Sequence, residues 1–157
     1  MTKTKYYLDI AKVVAARSHC LVRRGFGAII VKDDEIIATG YSGSARGTLN
    51  CGKDIPCIKN VKGLPPNEAY EVCPAVHAEE NAIIHAGRSR ALGGTLYLSP
   101  GGKYPGDRPC FRCRRRLINA GIKDCWYITR DGTLKYELVE EWIKMENQWM
   151  REKLNDD

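Results

Sequence analysis

A chain of 157 residues with 43% hydrophobic and 28% charged residues has the size and balance of one globular domain that buries its core without disulfide support. No apolar run approaches a membrane span and Met1-Thr-Lys-Thr-Lys lacks a signal-peptide core, so a cytoplasmic chain with no membrane partner is expected. A formal net charge of +6 and a pI near 9.0 point to an anionic partner, and in a reducing compartment the seven cysteines read as ligands or buried thiols.

In chain order, apolar residues at helical spacing from about 4 to 18 (Tyr7, Leu8, Ala11, Val14) predict an amphipathic helix on a sheet. Gly27 to Lys32 and Glu35 to Tyr41, joined at Asp33-Asp34, predict a β-hairpin whose near-continuous apolar runs are covered on both faces. Gly40-Tyr-Ser-Gly-Ser-Ala-Arg-Gly47 follows, either a cradle of backbone amides for a phosphate or a plain mobile loop. Residues 48 to 74 have no periodicity and hold Cys51, Cys57 and Cys73. With Cys20 these make four soft ligands, the number a closed structural zinc site uses; scattered buried thiols are the alternative.

A helix is predicted from His77 to about Arg88, with Ala78, Ala82, Ile83 and Ala86 packing inward and His85 too far along to reach the same ligand as His77. Gly94 to Ser99 reads as a strand, and residues 100 to 108 as a turn-rich, lid-like insertion in which Tyr104 would close over a ligand. Residues 110 to 120 read as a helix capped by Gly121. A strand from Ile122 to Thr129 carries Cys125 as a core thiol. The segment from Leu138 to Leu154 reads as a helix whose Trp142, Ile143, Met145, Trp149 and Met150 pack on the sheet or join a subunit interface. Arg88, Arg90, Arg108, Arg112, Arg114, Arg115 and Arg116 suit a nucleotide phosphate or nucleic acid; a solvated face is the plain alternative.

Two short motifs carry chemistry. His77, Cys110 and Cys113 are of the types that hold Zn²⁺ tetrahedrally, leaving a fourth position for water. The metal brings the pKa of that water near neutrality. Glu79 is not needed as a ligand and is placed to carry protons from the water to a ring nitrogen and a leaving amine. H-x-E alone is an ordinary surface pair, and C-x-x-C alone a redox pair or half of a structural site. His77-Ala-Glu79 followed by Pro109-Cys110-Phe-Arg-Cys113 is instead the signature of zinc-dependent base deaminases. The spacing puts each ligand set on the first turn of a helix, with Pro109 at the first helical position and Cys110 and Cys113 facing one metal. Helix dipoles there favour thiolate and hydroxide.

Over roughly residues 5 to 130 the chain resembles the cytidine-deaminase superfamily, and within it the deoxycytidylate (dCMP) deaminases. His77-Ala-Glu-Glu-Asn81-Ala-Ile83 is similar to their HAExNAI run, and Gly40 to Gly47 to their GYNGxPxG loop, with Ser42 and Ala45 where Asn and Pro are usual. Cys20 and Asn50-Cys51 resemble members that carry a second zinc. Free-nucleoside cytidine deaminases usually have Cys where His77 stands. The resemblance implies a three-layer α/β/α fold with a mixed sheet of about five strands. It implies hydrolysis of dCMP to dUMP and ammonia for thymidylate synthesis, a catalytic Zn²⁺ with a second structural one, and a homo-oligomer, commonly a hexamer.

Main chain around Val76 and Ala78 would read the base. Arg88, or the loop carrying Gly43, Ser44, Gly47 and Asn50, would read the phosphate. That loop is also where such enzymes bind dCTP or dTTP as effectors, and dCTP is an alternative substrate. A tRNA adenosine deaminase is disfavoured by the Asn81 run and the glycine loop, so nucleic acid is not the expected partner. A non-catalytic, regulatory deaminase-like protein is disfavoured by Glu79, which metal binding alone does not need.

Overall fold

The computed structural model describes residues 1–20, 25–65, 68–102 and 106–155. Thr2 caps helix α1 (Lys3–Ala15), its side chain accepting from the Lys5 amide, which satisfies one of the orphan donors of the first turn. Strands β1 (Phe26–Lys32) and β2 (Glu35–Tyr41) form the expected hairpin. Asp33 and Asp34 both adopt positive φ, 50° and 65°, the backbone a two-residue hairpin turn requires and one that aspartate tolerates. The Asp34 carboxylate accepts from Lys3 Nζ and Tyr7 Oη, each at 2.8 Å. The turn is thereby fastened to α1, and the bond to Asp34 with burial pushes the Tyr7 phenol up to about 12.

The main sheet runs β2-β1-β5-β6-β7. Strand β5 (Thr95–Pro100) pairs antiparallel with β1 and parallel with β6 (Asp124–Ile128). A parallel pair needs a crossover, and helix α5 (Phe111–Ala120) supplies it. Alternation along β1 divides the core in two. Ile29 and Val31 pack with Tyr97 under Tyr7, Leu8 and Ala11 of α1. Ala28 and Ile30 pack with Leu96 and Leu98 against Ala78, Ala82, Leu117 and Trp142, which belong to helices α3 (Ala78–Ala86), α5 and α6 (Val139–Asn155). Helices on both faces of a mixed five-stranded sheet are the expected three layers.

Three expectations need correction. Of the two hairpin strands β1 alone is covered on both faces; β2 is an edge strand, partly exposed along its length. The fifth strand is β7 (Leu134–Leu138), where the chain-order reading placed four and ran from residue 129 toward the last helix. Leu134, Tyr136 and Leu138 alternate along it but stay exposed at the sheet edge, so no buried run marked the strand. Pro109 stands before the cap of α5, not at its first position. Smaller elements are β3 (Gly43–Ser44) paired with β4 (Ala75–Val76), and the short helices α2 (Ile58–Val61) and α4 (Arg88–Ala91). Among the described residues no helix is long and apolar enough to cross a membrane.

Gly40 of β2 lies under the first turn of α3: a Cβ there would sit 2.3 Å from both the Ala78 carbonyl oxygen and the Ala82 nitrogen. Both obstacles are backbone, so the helix itself must move. Gly40→Ala is expected to cost about 1–3 kcal/mol and to lower Tm by roughly 3–10 °C, measured by thermal unfolding, with metal affinity falling as α3 is displaced.

Candidate active site

Helices α3 and α5 aim their N-termini at one point. His77 is the N-cap of α3 and Cys110 the N-cap of α5; Cys113 lies in the first turn of α5. His77 Nδ1 stands 3.5 Å from Cys110 Sγ and 3.4 Å from Cys113 Sγ. Among the described residues these three are the one group of three or more possible ligands with donor atoms within 4.8 Å of one another. Tetrahedral Zn²⁺ with ordinary Zn–N and Zn–S lengths separates N and S ligands by ~3.6 Å, so the spacing and the donor set fit that ion. The Cys113 thiol and the His77 ring both hydrogen-bond Cys110 and hold its thiol well below the usual range. A thiolate is the form that binds metal.

The capping of α3 fixes the histidine. Glu80 Oε2 accepts from the His77 amide at 2.9 Å, and Glu80 Oε1 pairs with Arg116 of α5 at 2.8 Å. One carboxylate thus ties both ligand-bearing helices together. Glu79, one residue earlier, turns inward and is 4% exposed. Burial pushes its carboxyl up to about 7, against the opposing charge of His77. A carboxyl poised there can both take and release a proton near neutrality.

A cavity of about 140 Å³ opens beside the ligands. His77, Ala78, Glu79 and Cys110 line it, and so do Cys20, Cys51, Cys57 and Cys73. Cys51 hydrogen-bonds the Cys57 thiol. Burial, then the charges of Cys73 and Cys51, push the Cys20 thiol up to about 11. The four expected ligands of a second zinc are therefore neighbours, though no three of their sulfurs come within 4.8 Å of one another. All seven cysteines are free.

The expected substrate contacts divide. Ala78 reaches the cavity, whereas Val76 and Arg88 line an adjoining outer groove with Arg112 and Arg116, which shares Tyr70, Cys73, Ala75 and His77 with the cavity. Arg88 Nε donates to the Asn119 carbonyl at 3.0 Å. Gly43 and Ser44 pair with Val76 and Ala75, which ties the glycine loop to the approach to His77. Ser44 Oγ accepts from the Cys51 amide, and Asn50 donates to Asp54 through its amide and side chain at 2.9 and 2.8 Å. Gly47 keeps a positive φ of 81°. Tyr104 lies outside the described residues. Ser42, where relatives usually carry Asn, lines the cavity but accepts from the Phe26 amide at 3.0 Å and bonds Ser18.

Two residues near the site, Tyr70 and Lys59, escaped the sequence reading; Arg108 was among the arginines flanking the two motifs. The Tyr70 ring lies 5.7 Å from that of His77, and Lys59 and Arg108 line the cavity. Tyr70 and Lys59 sit in the aperiodic stretch, where composition marks no burial. Arg108 pairs at 2.9 Å with Glu137, which also accepts from Tyr127 at 2.7 Å and from the Trp142 indole. The loop before Cys110 is thereby linked to β7 and α6.

A mixed sheet presenting a His/Cys/Cys set on two converging helix termini, with a buried glutamate beside it, is the arrangement that the base-deaminase signature describes. The chain belongs to the cytidine and deoxycytidylate deaminase zinc-binding region family, whose model matches residues 1–129. It is 35% identical over 124 residues to the deoxycytidylate deaminase of Schizosaccharomyces pombe, covering 79% of this chain and 36% of that protein. The deoxycytidylate deaminase of Mycobacterium phage D29 is 33% identical over 128 residues, covering 78% and 91%. A dCMP deaminase from cyanophage S-TIM5, solved in complex with dCMP and dUMP, superposes with a TM-score of 0.56 at 25% identity, covering 78% and 79%. The chain spans less than half the length of the fission-yeast relative.

Burial alone would raise the Glu137 carboxyl, but the bonds from Trp142 and Tyr127 and the charge of Arg108 leave it below the ordinary range. A depressed folded value adds stability above the unfolded glutamate pKa, near 4.3, and loses it as pH falls through the folded value. Glu137→Gln is expected to lower stability at neutral pH and to flatten its decline below about pH 4.3, followed by denaturant unfolding at several pH values.

Proposed function

We propose that this chain hydrolyses dCMP to dUMP and ammonia. The observation that carries the reading is Glu79, buried on the first turn of α3 beside the His77, Cys110 and Cys113 set; the relatives named for that reaction give the substrate. His77, Cys110 and Cys113 would hold one Zn²⁺. When bound, it supplies a water acidified enough to act as a nucleophile near neutral pH.

The chain's own residues do the rest. The first-turn amides of α3 and α5 favour the negative charge of the ligand set. Glu79 takes one proton from the water and passes it to the cytosine N3 as the C4–O bond forms, then carries the remaining hydroxyl proton to the amine, which leaves as ammonia when the C4–N bond breaks. Ala78, packed beneath β2 at the cavity wall, presents main chain to the base edge. The Gly43 to Gly47 loop, tied through Gly43 and Ser44 to the strand just before His77, would hold the phosphate.

Further parts of the reading rest on the same family. Cys20, Cys51, Cys57 and Cys73 hold a second, structural Zn²⁺ on closing inward, as their shared cavity supports. Seven unpaired thiols suit a reducing, cytoplasmic compartment. The described residues form one domain that feeds thymidylate synthesis, with dCTP or dTTP as effectors at the glycine loop. The exposed Ile143, Met145, Trp149 and Met150 of α6 favour a homo-oligomer, a hexamer by analogy.

Glu79→Gln is expected to preserve fold and zinc content while turnover of dCMP falls roughly 10²–10⁴-fold. An absorbance assay beside metal analysis reads both, and retained turnover would remove the assigned role. Cys57→Ser should lower the metal count from two toward one; a wild-type count of one would eliminate the second site.

A further inference from the structure

Lys59 is 6% exposed, although it lies in the four-residue helix α2. Its ammonium donates to the Glu68 backbone carbonyl and lies 5.5 Å from the Tyr70 ring. Among the described residues no carboxylate comes within 4.0 Å of it. A carbonyl and a ring face offset only part of the desolvation of a buried ammonium. Arg112 already stacks on the same ring at 5.5 Å, so the π-face is shared between two cations. The other cation of the cavity is different: Arg108 has Glu137 at 2.9 Å. Asp107, which lines the same cavity, pairs with Arg130 at 3.3 Å.

This unneutralised cation faces the cavity that holds His77 and Glu79. The Tyr70 ring neighbours both groups, 5.5 Å from the ammonium and 5.7 Å from the imidazole. A nucleoside monophosphate has the same layout, with its base at one end and its dianion one sugar away. We propose that Lys59 is the specificity residue for the 5′-phosphate, with Tyr70 as the wall that sets its distance from the metal ligands. This rests on the nucleotide reading above and gives it a residue: dCMP carries the missing counter-charge, and deoxycytidine does not.

The thiols of Cys51, Cys57 and Cys73 border the same cavity, and a metal-bound thiolate set is the competing counter-charge. Lys59 makes no hydrogen bond to any of them; its donor goes to Glu68, on the Tyr70 side. In the phosphate role Lys59→Met removes the anion's partner, while Lys59→Arg keeps a charge.

The test compares wild type, Lys59→Met and Lys59→Arg as zinc-loaded full chains. Kinetics with dCMP and deoxycytidine are run beside calorimetric titration with dUMP and with inorganic phosphate, and zinc is counted in each variant. The expected result is a drop of at least tenfold in the preference for dCMP over deoxycytidine in Lys59→Met, carried by KM rather than kcat. A matching loss of dUMP and phosphate affinity should accompany it, with zinc content kept and partial recovery in Lys59→Arg. An unchanged preference overturns the proposal. So does a parallel fall on both substrates with loss of zinc, which would make Lys59 the partner of a thiolate site. Lys59-dependent phosphate binding without turnover of dCMP would refute the substrate reading and leave the anion site standing. Absence of phosphate binding by wild type would refute the anion site itself.

Discussion

The site depends on two helix N-termini brought face to face. His77 caps α3 and Cys110 caps α5, so each ligand is held by backbone that has just turned from extended to helical. Unsatisfied amides at both ends create a positive potential in the gap. That potential favours the thiolate of Cys110 and makes a cation between the sulfurs affordable only because the thiolates answer it. The sheet sets the spacing. Gly40 lets β2 touch α3 backbone to backbone, and the parallel pairing of β5 with β6 fixes the path of α5. Glu80 then locks the two helices together through the His77 amide and Arg116.

The charge of the molecule is mostly spent internally. Arg108, Arg115, Arg116 and Arg130 pair with carboxylates, and Arg88, Arg90 and Arg114 donate to carbonyls. A cluster of arginines that suggested a surface for an anionic partner therefore serves in large part to dock α5 on α3 and α6. Most of these pairs are partly exposed, where ion pairs contribute little, and their value is geometric: they hold the ligand-bearing helix in register. Lys59 stands apart because it is buried with no such partner among the described residues, and burial makes an unanswered charge expensive.

The link through Glu137 extends the site to the C-terminal elements. Glu137 gathers Arg108, Tyr127 and Trp142, and Arg108 borders the cavity just before Cys110. Stability of β7 and α6 is thus coupled to the loop that presents two of the three residues that would hold the metal. The far turns of α6 are a separate matter: Met145, Trp149 and Met150 remain exposed, with only Val139 and Trp142 of that helix buried.

That His77, Glu79, Cys110 and Cys113 would meet was legible in the sequence because their geometry is local. His77 and Glu79 share one helix start, Cys110 and Cys113 another, and a helical turn converts those short spacings into distances with no help from the rest of the chain. The hairpin, α1 and the crossover were legible for the same reason, since period and turn chemistry act over a few residues. Tertiary structure decided what depends on distant neighbours. Strand β7 exists because β6 offers a free edge, not because its own residues are buried. Val76 and Arg88 fall in an outer groove while Ala78 reaches the cavity, although all lie close to His77 in the chain. Lys59 and Tyr70 come from an aperiodic stretch whose position is set by what it folds against. Local hydrogen bonding can be read from spacing; burial of a single charge depends on every element that surrounds it.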